Sequence, residues 1–331
     1  MFERTRIFTA ATARCLSWGL GLGLGLGASS GCLIFGLDCA APWSEVETVD
    51  LGTTADMLAI AGGSEYDAFV LVGTGGTVAF VDLEQSSVST PTNVPLRGVV
   101  GDDRTVVVGS GGLILSSDDR GASWQPRTSG TTDDLLAIAR LYYFDNGALV
   151  TLTADAIHYS LDDGESWLEV LPPTDGWGTL RSIFVDDRQV WAVGDGGVAW
   201  TAGNPAGAWL RADLGTSANV YAGGRVTGES DSSYASALAL LTSEGLRFRA
   251  ADESSWTTLD FEPEGSLVAF GNGFVVSDAG VVYDILESGS VEEVARTDLA
   301  PRAIAGGWNG FLLAGEGGAA ARAYEQDCFE G

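Results

Sequence analysis

The amino-acid sequence predicts an all-β protein, and three observations support that prediction. A Gly-rich element recurs seven times along the chain, at intervals of about forty residues. Gly makes up 46 of the 331 residues, about twice the usual ~7%, and it supplies the positive φ angles that tight hairpins need. No segment after residue 42 shows helical periodicity over two turns. The predicted fold is therefore a seven-bladed β-propeller with four-stranded antiparallel blades.

The repeated element consists of a β-type run, a Gly-rich turn and a second β-type run. Its four clear copies are 70–82, 106–118, 190–202 and 311–323. Three weaker copies fill the gaps at 149–162, 239–250 and 275–286. Because about forty residues is the length of one propeller blade, each copy marks one blade.

Each repeat also contains flanking runs that complete a blade. An apolar run precedes the Gly-rich element in six repeats, at 57–63, 96–102, 135–141, 181–187, 266–272 and 301–307. A Trp opens a further run in four repeats, directly after Ser123, Ser166, Ala208 and Ser255. Four short strands separated by turn residues are typical of one antiparallel blade.

The last repeat lacks a Trp-led fourth strand, and the N-terminal part of the chain offers one. Residues 43–51 parallel the segment that begins at Ser123. We therefore predict that an N-terminal strand closes the last blade and that the propeller spans residues 43–329. A ring closed in this way leaves no long unpaired sheet edge.

Residues 1–31 are typical of an export signal. They begin with Arg4 and Arg6, continue into a short apolar, Gly-rich core and end in small residues. Cys32 follows in the sequence ASSGC, which resembles the lipobox of bacterial lipoproteins. We predict that Cys32 is lipidated, that residues 32–42 form an anchor and linker, and that the protein is held at a membrane of the bacterial cell envelope. Secretion without lipid and an uncleaved membrane anchor are the alternatives.

Two further cysteines, Cys39 and Cys328, lie near the two ends of the exported chain. In an oxidising compartment an isolated pair of this kind predicts a disulfide. The closed ring would bring the two cysteines together. Two unrelated free thiols are the alternative.

Two turns share the spacing Ser-x-Asp-x-Gly-x-Ser-Trp. The motif residues are Ser117, Asp119, Gly121 and Trp124 in the first turn and Ser160, Asp162, Gly164 and Trp167 in the second. The Asp can accept hydrogen bonds from turn amides, the Gly can adopt a positive φ, and the Trp can pack between blades. The motif therefore predicts a structural role at outer turns of the propeller.

The motif resembles the Asp-box, or BNR repeat, of sialidases and of many propellers without sialidase activity. The segment 107–124 is similar to the repeats of the seven-bladed propellers in the photosystem II assembly and stability factor family, and the similarity covers about 43–325. This resemblance implies a scaffold that binds a partner without catalysis. It also implies a basic patch at the binding site, but the dispersed Arg residues of this sequence do not reveal where one would lie.

Composition excludes several functions. The chain has 45 Asp and Glu against 17 Arg and no Lys, with a formal net charge of −28. A surface this acidic repels phosphate, which excludes nucleic-acid binding. The single His, His158, rules out metal sites built on several His ligands and is expected to be a packing or surface residue. Acidic pairs such as Asp118–Asp119 and Asp162–Asp163 are expected to be solvated turn carboxylates and not a Ca²⁺ site.

The alternative function is a sialidase-like glycoside hydrolase or a carbohydrate-binding propeller, which the Asp-box resemblance implies. Candidate parts of such a site are Arg181, Arg247, Arg302, Tyr283 and Glu244, but nothing in their sequence context groups them. The preferred interpretation is a monomeric, non-catalytic propeller without a cofactor. Its partner is expected to be a protein, a peptide or a glycan.

Overall fold

A computed structural model describes residues 43–62, 68–82, 86–101, 104–142, 147–186, 188–226, 236–251, 253–307 and 310–324. Within these ranges the chain forms 28 strands and four single-turn 3-10 segments. The strands form seven four-stranded antiparallel sheets. In the same ranges no helix is long and apolar enough to cross a bilayer. The predicted all-β, seven-bladed propeller is confirmed.

The strands are numbered β1–β28 in chain order, and the first six blades use them in sets of four from β2 onward. Blade one contains Met57–Gly62, Phe69–Gly73, Val78–Val81 and Ser86–Ser89. Blade two contains Leu96–Val100, Thr105–Gly109, Leu113–Ser117 and Gln125–Thr128. Blade three contains Ala137–Leu141, Ala148–Leu152, Ile157–Ser160 and Leu168–Glu169. Blade four contains Leu180–Val185, Val190–Gly194, Ala199–Ala202 and Leu210–Arg211. Blade five contains Val220–Arg225, Leu238–Thr242, Gly245–Arg249 and Thr257–Thr258. Blade six contains Leu267–Gly271, Phe274–Ser277, Val281–Ile285 and Val291–Arg296. Blade seven contains Pro301–Gly306, Gly310–Gly315, Ala319–Tyr324 and, as its outer strand, β1 at Glu47–Asp50.

The first strand of every blade lies innermost. These inner strands contact one another in the order β2, β6, β10, β14, β18, β22, β26 and back to β2. The seven blades therefore form a closed circle around a central axis.

The N-terminus closes the last blade. β1 pairs antiparallel with β28, and just before it the Ser44 N–H donates to the Tyr324 carbonyl at 2.7 Å. The Tyr324 N–H in turn donates a hydrogen bond to the Ser44 Oγ at 2.9 Å. The predicted closure by an N-terminal strand is confirmed, whereas Cys39 and Cys328 lie outside the described residues.

The hydrophobic core is divided among the interfaces between consecutive blades. Seven separate clusters of buried side chains occur, one for each pair of neighbouring blades. Trp167, for example, packs between blades two and three, and Trp256 packs between blades four and five. Because both faces of every sheet are buried against neighbours, side chains of the inner strands point mostly into these interfaces and not along the axis.

Two features of the sheets were not predicted from the sequence. The inner strand of blade five, Val220–Arg225, was missed because Gly223 and Gly224 interrupt its apolar run. The outer strands of blades one and six, Ser86–Ser89 and Val291–Arg296, were missed because no Trp precedes them.

Two sets of loops meet at one end of the propeller. The first set joins each blade to the next and is called the blade connections: 51–56, 90–95, 129–136, 170–179, 212–219, 259–266 and 297–300. The second set joins the second and third strands within each blade and is called the second turns: 74–77, 110–112, 153–156, 195–198, 243–244, 278–280 and 316–318. We call this end the mouth face.

In blade four the glycine-rich second turn is hydrogen-bonded to the blade connections on both sides of it. The Asp195 N–H donates to the Thr179 carbonyl at 2.9 Å, and the Gly197 N–H donates to the Ala218 carbonyl at 2.8 Å. A Cβ on Gly197 would overlap the carbonyl oxygen of Thr216. Glycine is therefore required where the turn meets the connection to the next blade.

The same contact recurs around the ring. Added Cβ atoms on four further turn glycines would overlap the carbonyls of Thr92, Thr131, Thr297 and Thr53 in the following connections; these glycines are Gly76, Gly112, Gly280 and Gly318. In three blades the N–H of the middle glycine of the turn also donates to an Asp or Asn side chain in the following connection. These bonds run from Gly111 N–H to Asp134, from Gly196 N–H to Asn219 and from Gly317 N–H to Asp56, at 2.9, 3.0 and 2.8 Å.

We predict that Gly197→Ala destabilises the protein far more than Gly196→Ala. Both glycines have positive φ values, 71° and 64°, so Ala costs about 1–2 kcal/mol at either position. Only at Gly197 would the new methyl group also overlap backbone, which raises the expected loss to about 3 kcal/mol or more. Urea unfolding measures the loss of unfolding free energy in each variant. Equal losses in the two variants would contradict a close contact between Gly197 and the Thr216 carbonyl.

Candidate functional site

A ring of side chains surrounds the axis at the mouth face. Six of the seven inner strands break register at their second residue, and such bulges re-aim a side chain. Leu136 occupies the equivalent position just before the regular strand β10. The members of this mouth ring, in blade order, are Leu58, Arg97, Leu136, Arg181, Tyr221, Val268 and Arg302. Each is exposed or half-buried, whereas the residue before it is buried in six of the seven blades.

The three Arg of the mouth ring each pair with a carboxylate from a loop of the mouth face. Arg181 forms a two-pronged pair with Asp195, and Arg302 donates to Glu316 at 2.5 Å. Arg97 donates to Asp134 at 3.3 Å. The hydrogen bond to the Asp195 carboxylate raises the pKa of Arg181, and the bond to the Glu316 carboxylate raises the pKa of Arg302.

One sector of the mouth ring is apolar and aromatic. Tyr221 is 44% exposed and Val268 is 40% exposed, in neighbouring blades five and six. The Arg181 guanidinium lies 5.7 Å from the centre of the Tyr221 ring, within the range of a cation–π contact. Arg181, Tyr221 and Val268 are consecutive members of the ring, in blades four, five and six, and together they are called the sector.

The members of this ring could not be identified from the sequence, because they share a position in the repeat and not a residue type. In six repeats the ring residue is the second residue of the inner strand, and in blade three Leu136 directly precedes the strand. The Arg residues that appeared dispersed, Arg97, Arg181 and Arg302, occupy that position in three different repeats. The sequence did not indicate where a basic patch would lie; the structure places these three Arg in one ring, and each is paired with a carboxylate.

The two Asp-box-like turns lie at the opposite end of the propeller, between third and fourth strands. The Ser117 Oγ donates to Asp119 at 2.8 Å and accepts from the Gly121 N–H at 2.8 Å. The Ser123 N–H and hydroxyl donate to the same Asp119 carboxylate at 2.8 and 2.6 Å. These bonds, led by the Ser123 hydroxyl, lower the pKa of Asp119.

The second turn of this type repeats the network. Ser160 and Ser166 donate to Asp162, Gly164 has a φ of 86°, and the Trp167 Nε1 donates to the Gly164 carbonyl at 3.1 Å. Burial raises the pKa of Asp162, but the bonds from Ser166 and Ser160 outweigh it and the pKa is lowered. In the first turn the Trp124 Nε1 donates to the Ser89 Oγ of blade one at 3.3 Å. Both Trp side chains thus anchor their turns.

The acidic neighbours of these motifs are exposed or half-buried, and they also form ion pairs. Arg104 donates to Asp118 at 2.6 Å and to Glu165 at 2.6 Å, which joins blades two and three. Arg140, almost fully buried, donates to Asp163 at 2.5 Å. The hydrogen bond from Arg104 lowers the pKa of Asp118. No group of three or more potential metal ligands occurs among the described residues.

The candidate residues of a sialidase-like site do not form one cluster. Arg181 and Arg302 lie in the mouth ring, whereas Arg247 lies on the third strand of blade five and donates to the Trp256 carbonyl at 2.9 Å. The buried Tyr283 hydroxyl accepts the Glu264 N–H at 2.9 Å. Glu244 lies in the second turn of blade five.

His158 is buried on β12, opposite Glu169 of β13. Its Nδ1 has no hydrogen-bond partner in the part of the chain that the structure describes. Burial lowers the pKa of His158, and the charges of Glu169 and Asp133 oppose this shift only in part. His158 is therefore a packing residue and not a surface imidazole.

The strand order defines a seven-bladed β-propeller. No protein-family model matches the chain, and a search of curated proteins finds no relative. Among solved structures, YCF48 bound to D1 peptide is similar with a TM-score of 0.64 and 19% identity, over 86% of this chain and 96% of that one. YCF48 from Cyanidioschyzon merolae gives 0.64 and 17%, over 86% and 100% of the two chains. Virginiamycin B lyase from Staphylococcus aureus gives 0.66 and 13%, over 85% and 99%. At these identities the similarity shows the shared propeller fold.

We predict that His158 makes stability depend on pH. Because the folded pKa of His158 is lowered, the unfolded chain binds a proton near pH 6.5 that the folded chain binds only at lower pH. The free energy of unfolding is therefore expected to fall as the pH drops below about 6.5. Thermal unfolding of the protein and of His158→Phe and His158→Gln, from about pH 7.5 to about pH 5.5, checks this.

The comparison of the protein with its two variants isolates the effect of one imidazole, because His158 is the only His in the chain. Both variants are expected to show a smaller decrease in Tm over this interval, whatever their Tm at pH 7.5. Parallel curves for all three proteins would show that His158 is not the group responsible.

Proposed function

We propose that this chain is a non-catalytic propeller scaffold that holds a segment of a partner protein against its mouth ring. The observation that carries the proposal is the exposed sector of Arg181, Tyr221 and Val268, in a molecule whose other inner-strand side chains are mostly buried between blades. Arg and Tyr are enriched among the residues that dominate binding energy at protein interfaces. An extended segment lying across the mouth would contact several blades at once.

The comparisons support a peptide as the ligand. One similar structure is that of YCF48 bound to D1 peptide, so a propeller of this shape is known to accept a peptide. The resemblance to the photosystem II assembly factor family also supports a scaffold that binds a partner. We interpret both motifs as structural Asp-boxes.

A scaffold role fits the chemistry of the mouth better than glycoside hydrolysis does. The Arg residues of the ring are engaged by Asp134, Asp195 and Glu316, which would compete with a substrate carboxylate. Tyr283 is buried with its hydroxyl bonded to backbone, so it does not serve as a nucleophile in this arrangement. Release of fluorophore from a sialoside by the purified protein would refute the scaffold interpretation.

We further propose that the protein is exported and anchored in the cell envelope. Residues 1–31 would be removed as a signal, Cys32 would carry the lipid, and Cys39 would form a disulfide with Cys328. Support for the disulfide comes from the closure of the ring: Cys39 is five residues before Ser44, Cys328 is four residues after Tyr324, and Ser44 and Tyr324 are hydrogen-bonded.

A photo-crosslinker placed at the mouth tests the scaffold proposal. With benzoylphenylalanine at position 221, illumination of cells that express the full chain is expected to give a covalent adduct with one partner, located by mass spectrometry. Position 142 is the matched control, because Tyr142 is also exposed and follows the opposite end of inner strand β10. Equal adducts from both positions would place the binding site elsewhere.

A second arm of the same experiment tests the chemistry of the sector. Val268→Ser is expected to reduce the adduct yield at position 221 about tenfold, because fully burying a Val side chain contributes about 1.5 kcal/mol or more. Val88→Ser is the matched control, since Val88 is exposed to a similar extent but lies on the outer strand of blade one. Equal loss of the adduct in both variants would mean that the sector does not determine binding.

The anchor and the disulfide are tested together by labelling. Cells fed a radiolabelled fatty acid are expected to label the wild-type chain and not Cys32→Ser, which should appear in the soluble fraction. Peptide mapping without reductant is expected to recover Cys39 linked to Cys328, and reductant is expected to lower the Tm because an unfolded chain without the bridge gains entropy. Membrane retention of Cys32→Ser, or two free thiols in the exported protein, would contradict the respective part of the proposal.

A further inference from the structure

The loops around the mouth ring carry charge of one sign. Nine Asp and Glu lie in the blade connections and five in the second turns, and neither set of segments contains an Arg. The only guanidiniums of the mouth ring are those of Arg97, Arg181 and Arg302. The mouth face is therefore strongly acidic, although its centre contains three cations.

Those three cations are already neutralised within the molecule. Asp134, Asp195 and Glu316 engage them, and the Asp134 carboxylate is held in place by the Gly111 N–H. The whole chain adds a net charge of −28. An anionic partner would meet a repulsive field on approach and would have to displace a fixed carboxylate from each Arg.

We propose that the partner segment of the mouth ring is cationic and apolar: an extended peptide whose Lys or Arg side chains meet the acidic loops while an aliphatic or aromatic side chain covers Tyr221 and Val268. This inference rests on the proposed function, because it names the chemistry of the segment that the mouth binds. Charge complementarity favours this occupant, since a cation is attracted by the loops and has the carboxylates of the Arg pairs as acceptors.

Two matched peptides test the partner's charge. One has about twelve residues with Lys alternating with Leu and Phe, and the other has Glu in place of every Lys. Fluorescence anisotropy with the full chain is expected to give at least about tenfold tighter binding of the Lys peptide at low salt. Raising the salt from about 50 mM to about 300 mM is expected to weaken that binding, because exposed charges are then screened beyond several ångströms.

Variants of the mouth carboxylates locate the effect. The triple variant Asp134→Asn, Asp195→Asn, Glu316→Gln is expected to bind the Lys peptide at least about tenfold more weakly. Asn at position 134 keeps an oxygen for the Gly111 N–H, as Asn219 does for Gly196 in blade four. The control removes the same total charge from exposed positions away from the mouth, with Glu45→Gln, Glu253→Gln and Glu292→Gln, and is expected to bind as the wild type does.

The outcomes separate this inference from the proposed function. Tighter binding of the Glu peptide, lost in Tyr221→Ala, overturns the cationic partner while the mouth remains the binding site. Binding of the Lys peptide that is unchanged in Tyr221→Ala and in the triple variant overturns both. Failure of both peptides to bind overturns the inference alone, because the crosslinking at position 221 tests the mouth independently of any chosen peptide.

Discussion

The structure depends on the close approach between each glycine-rich second turn and the connection that leads to the next blade. At Gly197 the turn backbone lies so close to the Thr216 carbonyl that no side chain fits between them. Backbone contact of this kind fixes the distance between blades more strictly than packing of flexible side chains does. Since Gly76, Gly112, Gly280 and Gly318 make the same contact, it joins blade one to two, two to three, four to five, six to seven and seven to one. The last of these spans the point where the chain closes its ring.

The same segments carry the chemistry of the mouth. Asp195 and Glu316 are the first residues of glycine-rich second turns, and Asp134 lies in a connection that binds such a turn through Gly111. The carboxylates that hold Arg97, Arg181 and Arg302 are therefore positioned by the contact that holds the blades together. Binding to side chains that are already held in place costs less entropy than binding to mobile ones. The rigidity of the fold would therefore favour the proposed binding at the mouth.

Much of the fold could be predicted because the residues that define it have strict local requirements. Gly at the second turns and Trp167 or Trp256 at the outer strands recur at nearly constant spacing, and each has a conformational or packing role that few other residues fill. The inner strand of blade five lacks such markers, because Gly223 and Gly224 replace apolar residues where Phe184 and Phe270 of the neighbouring blades need the space. The mouth ring could not be predicted in the same way. Its members share a position and not a residue type, so Leu58 and Arg97 appear unrelated until the bulges are seen.

The ion pairs at the two ends of the propeller differ in how much they contribute to stability. At the end with the Asp-box-like turns, Arg104 and Arg140 tie blades two and three together through Asp118, Asp163 and Glu165, and both guanidiniums are largely shielded from solvent. At the mouth face the ion pairs are far more exposed, and exposed pairs contribute little to stability. The carboxylates of these pairs can therefore also accept hydrogen bonds from the proposed cationic segment, without displacement of any Arg and with little effect on the stability of the fold.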